Sequence, residues 1–279
     1  MEVKVAEHAG YCYGVERAFK MIQKVSETFP GKICTLGPII HNPQAVEALK
    51  KERGVSPVPD VSSVSEGALV IRTHGVPPEV IREAERKGLK VVDATCPFVA
   101  TVQQVAKRLV EEGYYLIIEG ERDHPEVVGI LGYAGGKAKI VERPEDVERL
   151  EMLPNRVGVV VQTTQEVENL QRIALALVPR CKELRVYNTI CSATKQRQAA
   201  ARRLAEEVDL MLVVGGRNSG NTRRLFSVCA ETGTRSLHIE TAEEIDPSWF
   251  EGIHSVGVTA GASTPDFIVE EVVARLETL

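Results

Sequence analysis

"VVDATCPFVATVQQVAKRLVEEGYYLIIEGERDHPEVVGIL", residues 91–131, decides the fold. A short apolar strand runs into a small polar turn that delivers Cys96. Pro97 then opens an amphipathic helix, a second apolar strand follows in "YYLIIEG", and a loop with His124 and Pro125 leads into another helix. A structural cysteine belongs mid-strand or on a helix's apolar face, whereas the end of a strand in an α/β unit is where ligands are met. The same order recurs in residues 186–226, with Cys191 and a loop holding Ser219 and Asn221, and in residues 3–49, with Cys12 and a loop holding His41 and Pro43. The spacings agree: 29 residues separate Cys12 from His41, 28 separate Cys96 from His124, and 28 separate Cys191 from Ser219. The chain is one unit written three times.

Each unit has a second polar loop after its next strand. "VIRTHGVPPEVI" (70–81) carries His74, "VVVQTTQEVENL" (159–170) carries Thr163, and "VTAGASTPDFIVEEV" (258–272) carries Ser263. The third unit ends without its last strand and cysteine, which residues 1–13 supply. Strand–helix alternation predicts mostly parallel sheets with right-handed crossovers. The fold expected is therefore α/β: three similar domains in a pseudo-threefold trefoil. They cover 14–97, 98–192, and 193–279 completed by the N-terminal strand in 1–13. If their strand ends face the common axis, the three cysteines converge on it.

Composition narrows the function. The 279 residues are 43% hydrophobic, enough for real cores, and only 5% aromatic, which argues against platforms for stacking bases or sugars. A net charge of −5 gives no general affinity for nucleic acid or an anionic membrane. No apolar run reaches the length of about 20 residues needed to span a bilayer, and "MEVKVAEHAGYCYGVERAF" has no secretory core. The expectation is a cytoplasmic protein whose six separated cysteines point to metal or catalysis rather than disulfides.

Three converging thiolates with no fourth protein ligand fit either a four-iron cluster with one open iron or a three-cysteine zinc site with an open position. Cys34 inside "KICTL", Cys229 on the apolar face of "RRLFSVCAET", and Cys181 in a connection read as inert. "HNPQ", "DHPE" and "STPD" put proline at or near a helix's first turn, where unpaired amides bind anions, and "RNSGN" offers Ser219, Gly220 and Asn221 for the same work. His41, His74 and His124 sit on these loops. His8, His238 and His254 do not, and read as packed or solvated. Glu126 reads equally as a proton donor beside a metal and an anion or as a first-turn acid complementing the helix dipole. The residues alone leave open a zinc enzyme acting on a small phosphorylated substrate and a non-catalytic iron–sulfur sensor.

The motifs "GYCYGVERA", "GPIIHNP", "RTHGV", "VDATCP", "DHPEV", "QTT", "ICSATKQRQ", "NSGN" and "VTAGASTP" together resemble the 4-hydroxy-3-methylbut-2-enyl diphosphate reductase family over essentially the whole chain. The resemblance implies a [4Fe-4S] cluster on Cys12, Cys96 and Cys191. It implies substrate contacts from His41, His74, His124, Thr163, Ser219, Asn221 and Ser263, with Thr163 nearer the reacting end and Glu126 as proton donor. The implied reaction is reductive dehydroxylation at the end of the methylerythritol phosphate route to isoprenoids. The implied partners are an allylic diphosphate and an electron donor such as ferredoxin or flavodoxin. One departure is Gly220, where the family often has a second serine, so one hydroxyl contact is lost and only a backbone amide remains.

Overall fold

The computed structural model describes residues 1–279 as twelve strands and ten α-helices in near-strict alternation. Strand β1 (Glu2–Val5) comes first, and the rest follow in three blocks. Strands β2 (Ile33–Leu36), β3 (Ser56–Val58), β4 (Ala68–Ile71) and β5 (Lys90–Asp93) form a sheet ordered β3-β2-β4-β5. Strands β6 (Tyr115–Glu119), β7 (Ala138–Val141), β8 (Arg156–Val161) and β9 (Glu183–Val186) form a second, ordered β7-β6-β8-β9. Strands β10 (Leu210–Val214), β11 (Arg235–Ile239) and β12 (Ser255–Ala260) form the third with β1, ordered β11-β10-β12-β1. Every pairing is parallel. The three orders are identical in topology, which establishes the α/β class and the repeat. In the third sheet the closing strand is β1, with Val5 opposite Val258.

The ten helices are α1 (Tyr13–Thr28), α2 (Pro43–Arg53), α3 (Pro78–Arg86), α4 (Pro97–Glu111), α5 (Pro125–Tyr133), α6 (Pro144–Glu148), α7 (Val167–Leu177), α8 (Ser192–Ala205), α9 (Gly220–Ala230) and α10 (Asp266–Glu277). Alternation along the strands sorts the core onto two faces, as a doubly covered sheet requires. On β6, Ile117 faces a cluster with Ile173 and Leu177 of α7, whereas Leu116 and Ile118 face Val102, Ala106 and Leu109 of α4 with Ile130 of α5. On β10, Leu210 and Leu212 pack with Ile268 and Val272 of α10, while Met211 and Val213 pack with Ala201 of α8 and Leu225 of α9. Each such fully buried aliphatic side chain contributes about 1.5–3 kcal/mol.

Contacts divide the chain into two compact units, one made of residues 1–16, 40–49 and 192–279, the other of residues 17–39 and 50–191. The first holds the third sheet and the second holds the other two. Within the second unit the two sheets' layers interlock where α5 meets the loop before α3. A Cβ on Gly132 would lie 2.5 Å from Pro77 Cβ and 2.8 Å from its Cα, an approach that only glycine permits.

Strands β3 and β7 leave no clear strand pattern in the sequence. Strands β3 and β7 are sheet edges of three and four residues, and β3 contains Pro57. An edge strand leaves one side unpaired and so tolerates proline and polar residues that hide its pattern.

Candidate active site

The fourth strand of each sheet leads into a cysteine turn, and the three turns share one bond. The Cys96 amide donates to Thr73 O at 2.9 Å, the Cys191 amide to Thr163 O at 3.1 Å, and the Cys12 amide to Ala262 O at 3.2 Å. Each acceptor belongs to the second polar loop of the same sheet. This register aligns Thr163 with Thr73 and Ala262, so Thr163 stands one residue ahead of the places held by His74 and Ser263. None of the six cysteines is in a disulfide. Cys12, Cys96 and Cys191 are half-buried, and Cys34 and Cys229 are buried in cores. Burial pushes the Cys229 thiol up to about 12, consistent with an inert side chain.

The first polar loops end in helix caps. His124 caps α5: its Nδ1 accepts the Glu126 amide at 3.1 Å and its carbonyl accepts the Val128 amide at 3.0 Å. Ser219 caps α9, with Oγ accepting from Thr222 N at 3.3 Å and its carbonyl accepting from Arg223 N at 3.0 Å. In α2 the same role falls to Asn42, whose Oδ1 accepts from Ala45 N at 2.8 Å and whose carbonyl accepts from Val46 N at 3.2 Å. His41 thus precedes its cap while His124 is the cap, because "HNP" has a residue between histidine and proline that "DHP" lacks. Pro43 and Pro125 each open a helix, whereas Pro265 takes the cap position before α10.

These bonds fix what each loop can donate. With Nδ1 accepting, His124 carries its ring proton on Nε2. Ser219 accepts from the helix and keeps its hydroxyl hydrogen for another partner. Gly220 and Asn221 are the first two residues of α9, so their amides have no intrahelical acceptor. The Asn221 Nδ2 is buried without a hydrogen-bond partner, a donor that a ligand oxygen would satisfy. Ser263 Oγ donates to His41 O at 3.2 Å, and that carbonyl also lies against Gly216, where a Cβ would come within 2.6 Å. Ser263 therefore holds the backbone of the His41 loop within the first unit.

In the second unit His74 and His124 meet edge to face, with centroids 5.4 Å apart. Beside them Glu126 is 1% exposed. Its carboxylate reaches across to β8's loop, accepting the Thr163 amide at 2.6 Å and the Thr163 hydroxyl at 2.9 Å. Burial pushes its pKa up to about 7 against the opposing pull of those two bonds. The carboxylate's bonds go to a loop of another strand rather than to the amides of its own helix.

Gln162 is a contributor that the local reading passed over. It is fully buried; its Oε1 accepts the Glu121 amide at 2.9 Å and its Nε2 donates to Thr164 Oγ1 at 3.1 Å, tying the Glu126 loop to the Thr163 loop. The signal was present in "QTT", but a buried amide looks the same in sequence whether or not it bridges two loops.

Strand-end loops carrying thiols, imidazoles and a protonatable buried carboxylate define an α/β enzyme. The profile of the LytB protein family matches residues 3–277, and the chain belongs to that family. It is 51% identical over 276 residues to the 4-hydroxy-3-methylbut-2-enyl diphosphate reductase of Pelobacter propionicus, covering 99% of this chain and 98% of that one. It is 46% identical over 282 residues to the protein of the same name from Aquifex aeolicus, covering 100% and 97%. Among solved structures, that of (E)-4-hydroxy-3-methyl-but-2-enyl diphosphate reductase, described as the terminal enzyme of the non-mevalonate pathway, is 45% identical, with TM-score 0.72 over the whole of both chains. The E-1-hydroxy-2-methyl-but-2-enyl-4-diphosphate reductase of Plasmodium falciparum is 27% identical, with TM-score 0.93 over 98% of this chain and 87% of that one.

Proposed function

We propose that this chain reductively removes the hydroxyl group of (E)-4-hydroxy-3-methylbut-2-enyl diphosphate, giving isopentenyl and dimethylallyl diphosphate, with a [4Fe-4S] cluster on Cys12, Cys96 and Cys191. The names of its full-length relatives support the reaction. The three thiols fit the cluster: each stands half-buried at the same turn, with its amide drawn to the neighbouring loop. A cluster so held supplies electrons and one iron free of protein ligands, a Lewis acid for the leaving oxygen. For three turns to serve one cluster, the domains 14–97, 98–192 and 193–279 with 1–13 set their strand ends toward a common centre in a pseudo-threefold trefoil.

The reaction consumes two electrons and two protons. One proton leaves with the hydroxyl as water, and the other ends on carbon. Glu126 carries the reading: a carboxyl with a pKa near 7 is protonated often enough at neutral pH to give its proton to the departing hydroxyl oxygen. Thr163 fixes the direction of that carboxyl through two bonds and so aims the proton. The diphosphate is held by donors of the strand-end loops. These are Nε2–H of His124, the imidazoles of His41 and His74, the Ser219 hydroxyl, the Gly220 and Asn221 amides with the buried Asn221 Nδ2, and Ser263 once its hydroxyl turns from His41 O. Gly220 contributes through its backbone, which tolerates the loss of a serine side chain there.

A ferredoxin or flavodoxin supplies the electrons in this reading. In this proposal the chain works in the cytoplasm; no helix is long and apolar enough to cross a membrane. The test is anaerobic turnover with excess reductant and chromatographic analysis. The reading expects both isomeric products from iron-loaded protein. An iron-loaded protein that binds the diphosphate and forms neither product would contradict it, as would a colourless protein that turns over with zinc.

A further inference from the structure

Two arginines that the proposed chemistry does not use grip the backbone ahead of two cysteine turns. Arg17 lies on α1, in the second turn after Cys12, and its Nη1 donates to Thr95 O at 3.1 Å, the carbonyl immediately before Cys96. Arg197 lies on α8, in the second turn after Cys191, and its Nη2 donates to Gly10 O at 2.8 Å, two residues before Cys12. Arg197 is 2% exposed. Both bonds run in the same sense: a helix that opens after one cysteine carries a guanidinium that holds the chain just before another. Helix α4, which opens after Cys96, carries no arginine before Arg108, so the device is used twice and not three times.

A carbonyl can be satisfied by any neutral donor, such as an amide or a hydroxyl. A permanently charged guanidinium adds positive potential as well, weakly screened at buried Arg197 and more strongly screened at half-buried Arg17. The thiols beside it become thiolates when they bind metal. Charge and hydrogen bonds around a centre's ligands are what tune its affinity and its potential.

We infer that Arg17 and Arg197 are positioning residues for the cysteine turns. They fix the backbone ahead of Cys96 and Cys12 in the ligating geometry, and their charge raises the potential at which the bound centre takes up an electron. The inference rests on the cluster proposed above.

The test compares anaerobically reconstituted wild type with R17M, R17K, R197M and R197K. Two quantities are read: the rate of iron release to a chelator, and the midpoint potential from a redox titration followed by electron paramagnetic resonance. Removing a partner of a metal's ligands costs about 10–100-fold in affinity. The methionine variants are expected to release iron faster by a factor in that range and to show lower potentials. The lysine variants, charged but lacking the fork, should keep the wild-type potential and still release iron faster. Methionine variants that match wild type in release rate or in potential overturn the inference. If R197M fails to fold, judged by circular dichroism of the apoprotein, R17M decides alone. A wild type that takes up no iron refutes the cluster itself, a result distinct from variants that bind iron normally.

Discussion

The carboxylate of Glu126 and the backbone of Thr163 are joined at 2.6 Å, while the same Thr163 offers its carbonyl to the Cys191 amide at 3.1 Å. One residue thus touches both the buried acid and a cysteine turn. A shift of Thr163 would misplace both, which ties the position of the buried acid to the geometry of the turn.

Glu126→Gln should fold, keep any bound iron and bind substrate, yet lose about 10²–10⁴-fold in the rate of a single turnover, the usual worth of a positioned general acid. Rapid-quench product formation beside a binding titration checks it. Turnover at the wild-type rate would leave Glu126 with no role in proton transfer.

The same residue makes stability depend on pH. The folded chain holds the Glu126 proton more tightly than the unfolded chain, because burial raises its pKa from 4.5 to about 7. Ionising it in the fold is unfavourable, so its contribution is fully present below about pH 4.5 and is lost as pH rises to about 7. At about 1.4 kcal/mol per unit, the loss is on the order of 3 kcal/mol. Glu126→Gln should remove that slope and be the more stable protein at pH 8. Urea unfolding across pH 5–8 measures it, and parallel curves for the two proteins would count against the buried, protonated acid.

Thr163→Val deletes the hydroxyl bond to Glu126 and spares the amide bond. A carboxylate that loses a donor is harder to ionise, so the Glu126 pKa should rise further. The high-pH limb of the pH–rate profile should then move to higher pH, because the acid keeps its proton longer. An unmoved limb, or one displaced downward, would separate Thr163 from the titration.

Ser219→Ala should act twice. Loss of the cap on Thr222 N should cost about 1 kcal/mol of stability, and loss of the hydroxyl donor to the diphosphate should weaken binding by about tenfold, from about 1.4 kcal/mol. Thermal unfolding and calorimetric titration read the two separately. A variant that is less stable but binds normally would make Ser219 a cap alone.

Much of the fold was legible because the chain states it three times. The spacing between each cysteine and its polar loop, with strands alternating with helices, was enough to give three parallel sheets and to pick β1 as the strand that completes the third. What was not legible is what depends on register or on distant partners. Asn42, not His41, caps α2, because one extra residue before Pro43 shifts the loop. Thr163 aligns with Thr73 and not with His74, which only the cysteine amide bonds reveal. Gln162, Arg17 and Arg197 reach groups dozens of residues away, or more than a hundred in the case of Arg197, and no local pattern encodes such a reach. Glu126 could be singled out in sequence, but its partner Thr163, 37 residues further along, could not.

The central claim is that three cysteines at equivalent turns hold one iron–sulfur cluster. The most direct measurement is an iron and sulfide count, with the visible spectrum, on anaerobically purified wild type and all six single Cys→Ser variants. Wild type, C34S, C181S and C229S should each carry about four irons and four sulfides and absorb broadly in the visible, while C12S, C96S and C191S should lose most of both. Retention of the full count in C191S together with its loss in C34S or C229S would contradict the account.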